Sequence, residues 1–279
     1  MSREHIEFIQ SQQLEWLAHP KLMDVTYKVL SEAKNGKGLT ALYTIPEGWS
    51  SHRAFTLHCD EELFVLHGEL WINDVLHREG SYAYLPRHFE RSDIHCSKEA
   101  LVIRLIAGQD TPVVSFEQPS ADTPAMLGVD TITLPWDHST IDGNLKHLCA
   151  SRKILRICPV TKAKTFLYSV LPQTFPENNE GKQEYHPTPE EALVLTGDLI
   201  GPHGSMRTGA YFWRPPMIPH GPFGSRTGCT CLIRFVGGEH INHWTEAKTG
   251  FSFEAPYQPI LPDSLAHLSD KPARLRINF

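Results

Sequence analysis

One strand-and-turn pattern is written twice in this chain, and that constrains its fold more than any other feature. "EELFVLHGEL" from Glu61 returns as "EEALVLTGDL" from Glu190, an offset of 129 residues that also carries Gly80 and Pro86 onto Gly209 and Pro215. Upstream, "KVLSEAKNGKGLTALYTIPEGW" from Lys28 resembles "KILRICPVTKAKTFLYSVLPQTF" from Lys153. Downstream, "ALVIRLIAG" from Ala100 answers "CLIRFVGG" from Cys231, with Arg104 set opposite Arg234. An ordered series of matches at nearly constant spacing marks a duplicated unit.

Each unit reads as short strands. "TALYTI", "TFLYSV" and "YFWR" alternate, while "ELFVL" and "ALVIRLI" suit strands with a buried face. Gly68, Gly80, Gly197 and Gly209 stand where hairpins are expected to turn. Helix is predicted mainly over "REHIEFIQSQQLEWLA", with a fragment at "LAHLSD". The expected fold class is all-β: two tandem antiparallel barrels with a short N-terminal helical arm. The expected order is a helical arm (1–24), first barrel (25–110), connector (111–130), second barrel (131–244) and tail (245–279) laid along a barrel or a partner chain.

The formal net charge of -6 argues against a nucleic-acid partner. No apolar run approaches the roughly 20 residues of a membrane span, so no membrane partner is expected. "MSREHIEFIQSQQLEW" lacks the pattern of a secretory signal, which makes a cytoplasmic location the expectation and the six cysteines thiols. Cys229 and Cys231, without a second pair, read as structural.

Ligand chemistry gathers in the second copy, at "EYHPTPEEALVLTGDL". Residues two apart on a strand share a face, so Glu184 and His186 point the same way, and Glu190 can return to that face after "PTP". His220, eleven residues after Gly209 on a neighbouring strand, can meet the same point. Two imidazoles with carboxylates suit one divalent ion: Fe(II) by preference, with zinc, manganese or nickel accepted by the same donors. Glu184 is either a fourth ligand or a general base. Tyr211 and Trp213 share a strand face and either line the pocket, with Tyr211 as a candidate proton carrier, or pack in the core. Arg234 could take an anionic substrate group, although its match to Arg104 favours a structural ion pair. "HINH" from His240 to His243 follows the last recognisable strand and could sit at a subunit contact; His203 is expected in a hairpin.

The first copy sets Phe55, Leu57, Glu61 and Arg91 against Glu184, His186, Glu190 and His220. Arginine has no lone pair for a metal, so an Arg91–Glu61 contact is expected there instead of an ion. His52, His58, His88 and His95 could build only an irregular site.

These motifs resemble those of bicupins, and in particular the cupin half of chromium-resistance-type anti-sigma factors and the acetylacetone dioxygenase-like cupins. Glu184 replaces the first histidine of the family's His-x-His pair; His186, Glu190, Gly197, Gly209, Pro215 and His220 fit the rest, and "RPPMIPHGPF" resembles that subgroup specifically. The resemblance implies a metal-dependent enzyme, by preference a non-haem dioxygenase acting on a small dicarbonyl, hydroxyketone or similar molecule. Alternatives are a non-redox lyase, isomerase or hydrolase, and a metal-dependent sensor or ligand-binding protein. A homodimer is expected.

Overall fold

The computed structural model describes residues 3–114 and 117–269. The chain divides into two compact units, one of residues 1–3 and 14–134, the other of residues 4–13 and 135–279. The first holds a nine-stranded antiparallel sheet. Its path runs Met126–Asp130, Ser81–Leu85, Glu61–Ile72, Ile94–Ile106, Leu39–Ile45, Thr26–Glu32 and Leu17–Ala18. The second repeats that path as Ile6–Gln10, Ala210–Arg214, Glu190–Gly201, Cys229–Phe235, Lys164–Val170 and Ser151–Ile157. A hairpin of Glu180–Tyr185 with His243–Gly250 adds to the second unit. Among the described residues, no helix is long and apolar enough to cross a membrane, which says nothing about strands.

Alternation builds each core. Phe166, Tyr168 and Val170, two apart on one strand, enter the second unit's apolar cluster with Ala192, Val194, Phe212 and Cys231. Ala41, Tyr43 and Ile45 do the same in the first, beside Leu63, Val65 and Ala83.

The helical arm is not formed. Ile6–Gln10 is a strand on the second barrel, pairing Ile6 with Trp213 and Ile9 with Tyr211. All five of its residues are buried, and a strand can bury both faces where a single amphipathic helix could not. In the first barrel Met126–Asp130 takes the matching edge, Met126 against Tyr84 and Val129 against Tyr82. A strand thus closes the expected connector. "LAHLSD" is a 3-10 turn, Asp263–Leu268. The tail runs along the second barrel, where Tyr257 meets Phe8 edge-on and Ile260 accepts from the Glu7 amide; residues 270–279 lie outside the described residues.

Gly80 and Gly209 sit in turns before their strands, but Gly68 and Gly197 lie inside the long strands, near breaks in register with the facing strand. Both have φ near +80°, and a Cβ on either would come within 1.8 Å of a backbone oxygen, of Glu99 or Gly228. Alanine at either position should therefore cost on the order of 3 kcal/mol or more. Gly36→Ala, with positive φ but open space, should cost about 1 kcal/mol. Chemical denaturation of the three variants checks this; equal losses would remove the close approach as the cause.

Candidate metal centre

The strand Glu180–Tyr185 delivers Glu184, and His186 follows at its end. After "PTP" the next strand opens on Glu190. Glu184 and His220 face each other in an isolated antiparallel bridge, each amide donating to the other's carbonyl at 3.0 and 2.9 Å. Candidate donor atoms of Glu184, His186 and His220 all lie within 4.8 Å of one another. Glu190 Oε2 is 3.5 Å from His220 Nε2 and 4.0 Å from His186 Nε2.

The backbone fixes both imidazoles. His186 Nδ1 donates to the Ile241 carbonyl at 3.0 Å and His220 Nδ1 to the Ile218 carbonyl at 2.9 Å. A carbonyl only accepts, so each Nδ1 carries a proton and each Nε2 is left facing the carboxyl groups. Burial first, then the charge of Arg214, pushes His220 down to about 3, which keeps the ring in its ligating form. Glu190 feels burial pushing its carboxyl up, but His220, Arg214 and His186 outweigh it and hold it below the usual range. Burial and the Glu190 charge push Glu184 up to about 8. Two imidazoles and two carboxyl groups lining one cavity fit a divalent ion.

Arg214 orders one side of this set. It donates to Glu190 Oε2 at 3.0 Å and, through Nη2, to Glu7 Oε1 at 2.8 Å. The N-terminal strand therefore anchors the arginine that orients a candidate ligand.

No family model and no curated protein matches this chain. Solved structures do. A candidate dioxygenase from Nostoc punctiforme matches with a TM-score of 0.71 at 15% identity, over 90% of this chain and 91% of that one. An oxalate decarboxylase from Bacillus subtilis matches at 0.54 and 10%, over 85% and 79%. The fold is the bicupin fold. A candidate glyoxylate-induced protein from Pseudomonas aeruginosa follows the same course at 0.61 and 12%, over 88% and 93%. At such identities the likeness extends to the fold and no further.

Within the second cupin barrel the expected pocket residues separate. Tyr211 and Trp213 lie on the strand face opposite Phe212 and Arg214, which line the cavity. Tyr211 Oη donates to Glu191 at 2.7 Å, and Arg234 Nε pairs with the same carboxylate at 2.7 Å. Neither Tyr211, Trp213 nor Arg234 reaches the site. All five residues of that strand are buried, so alternation alone could not tell which face held the cavity. Arg234 also does not match Arg104. By strand register Arg104 lies opposite Leu63, whereas Arg234 lies opposite Glu191, the counterpart of Glu62. A slip of one residue reverses the face.

Three residues of "HINH" bound the site: His240, Ile241, whose carbonyl accepts from His186, and Asn242. His240 lines the cavity and stacks on Phe235 with ring centroids 4.0 Å apart, while Asn242 Nδ2 donates to Glu184 Oε2 at 3.1 Å. Burial, then Arg152, pushes His240 down to about 3. Four groups escaped the sequence reading: His240, Arg152, Arg214 and Glu7. The two histidines of "HINH" were a visible signal, and the alternation of Arg214 with Phe212 was another; Glu7 gave none. Cys229 and Cys231 are buried thiols with sulfurs 4.0 Å apart, a structural role.

The first cupin barrel has the same frame with different chemistry. Phe55 and Arg91 occupy the bridge that Glu184 and His220 form in the second. Arg91 Nη2 donates to Glu61 Oε2 at 2.7 Å, Arg104 holds the other oxygen, and Asp110 faces Arg104 at 3.4 Å. Two guanidiniums fill the metal position. His52 and His95 pair with Asp93 instead of converging, and among the described residues no first-barrel group has metal-ligand spacing.

Proposed function

We propose that this bicupin is a metal-dependent enzyme whose second barrel alone carries the reaction, by preference a dioxygenase acting on a small dicarbonyl or hydroxyketone. One observation supports this most: two imidazoles with Nδ1 tied to backbone carbonyls meet two carboxyl groups in one largely apolar cavity. Fe(II) is the preferred ion, with zinc, manganese or nickel compatible with the same donors. When bound, the ion stabilises negative charge on a substrate oxygen, and iron adds access to dioxygen chemistry. His186, His220 and Glu190 hold it, Arg214 keeps Glu190 oriented, and Phe166, Phe212 and Phe235 exclude water. Two of the similar structures are named as a candidate dioxygenase and an oxalate decarboxylase, which agrees with an enzyme on this fold. A screen of diketones in an oxygen electrode, on anaerobically purified protein, tests the reading. Substrate-dependent oxygen uptake lost in His220→Ala is the expected result; native zinc with no oxygen uptake would overturn the dioxygenase assignment.

A second reading rests on Glu184, whose carboxyl is pushed up to about 8. A largely buried acid whose proton affinity is raised suits proton transfer in a non-redox lyase or isomerase. Glu184→Gln separates the two, since it should spare the metal and remove turnover only where Glu184 moves a proton.

A further inference from the structure

Four arginines set in the two barrels come with carboxylates. Arg91 has Glu61, Arg104 has Glu61 and Asp110, Arg214 has Glu7 and Glu190, and Arg234 has Glu191. Arg152 departs from that pattern. It is 7% exposed, lines the cavity that holds Glu184, His186 and His220, and has no carboxylate within ion-pair distance among the described residues. Its Nη1 donates to the Thr140 carbonyl at 2.9 Å, its guanidinium lies 5.2 Å from the Phe166 ring and 5.7 Å from the Tyr168 ring, and its Nε has no acceptor.

Tyr168 stands directly across the strand pair from Arg152. It is also 7% exposed and lines the same cavity, and its hydroxyl has no partner. Leaving a polar group buried and unpaired costs about 1–3 kcal/mol, and more for a charged one. Two such donors, neighbours in register and both facing one cavity beside the candidate ligands, are explained by an acceptor that arrives from solution.

The geometry points to a carboxylate subsite formed by Arg152 and Tyr168, so that the substrate is an oxo or hydroxy carboxylate. Its carboxylate accepts from Arg152 and the Tyr168 hydroxyl, and its second oxygen faces Glu184, His186 and His220. Glu184 and His220 also line an adjoining cavity of about 340 Å³, so the part of the substrate beyond its carboxylate has space past the candidate ligands. This narrows the substrate class of the proposed enzyme and rests on that reading.

The test is calorimetric binding to metal-loaded protein, with acetoacetate and pyruvate as acids and acetylacetone and methyl acetoacetate as neutral counterparts. Wild type should bind an acid at least tenfold more tightly than its neutral counterpart. Arg152→Met should abolish that preference, Arg152→Lys should restore part of it, and Tyr168→Phe should weaken it several-fold, all with unchanged metal content. Because Arg152→Met removes an unpaired buried charge, it should melt at or above the wild-type temperature, while losing the stabilisation that the acids give wild type. Failure of any acid to bind wild type, equal binding of acid and neutral probes, or an unaltered preference in Arg152→Met would each overturn the subsite. A lower melting temperature with unchanged binding would make Arg152 a packing residue. Metal content, measured separately, reports on the metal site itself, so the two ideas fail independently.

Discussion

Glu61→Gln is expected to destabilise the first barrel by about 3–5 kcal/mol, the cost of breaking a buried charge cluster from one side. Glu61 is 2% exposed and bridges Arg91 and Arg104. The amide keeps the shape but leaves Arg91 without a carboxylate and Arg104 with Asp110 alone. Burial pushes the Glu61 carboxyl up, yet Arg104 and Arg91 outweigh it and hold it at about 2, below the ordinary 4.5. A depressed acid contributes stability that is complete above its unfolded value and lost as pH falls through its folded one. The gap between wild type and Glu61→Gln should thus be full above pH 4.5 and close as pH falls towards 2. Denaturant titrations across that window check it. A gap that is constant with pH would show that the carboxylate's charge is not what stabilises this barrel. Replacing Glu61, Arg91 and Arg104 together by apolar residues should recover most of the loss, since buried ion clusters seldom outperform good packing.

His186→Ala with His220→Ala is expected to abolish metal binding. Tight divalent sites of four donors reach apparent binding energies of roughly 10–16 kcal/mol, and removing both imidazoles takes away about half the donors. The remaining carboxylates are occupied, Glu190 by Arg214 and Glu184 by Asn242, and would repel each other without the histidines. Wild type should show a melting temperature that rises with added metal, as binding to the folded state requires. The double variant should show none of that rise and bind less than a tenth of an ion per chain by elemental analysis, a threshold on the order of assay background. Retained metal would place the ion elsewhere.

The repeat was legible because strand patterns, turn glycines and a constant offset reinforce one another, as they did at Glu61 and Glu190. His186, Glu190, His220 and Glu184 could be read from spacing, since a strand's period sets which side chains share a face. Ile6–Gln10 could not be read as a strand, because its apolar residues fit a helical stripe as well and its pairing partner lies some 200 residues away. The same long range hid Glu7 behind Arg214. Tyr211 and Trp213 were assigned to the wrong face of a strand whose two faces are equally apolar. His240 comes from a loop, where no periodicity aims a side chain, and Arg152 sits on a strand whose importance depends on a missing partner that only three dimensions reveal.

Anomalous diffraction from a crystal grown with the native ion tests the central claim most directly. One peak per chain is expected, about 2.0–2.2 Å from Nε2 of His186 and His220 and from a Glu190 oxygen, with Glu184 alongside and nothing between Arg91 and Glu61. A peak at Cys229 and Cys231 or at the first-barrel histidines, or no peak within the second barrel, would contradict it.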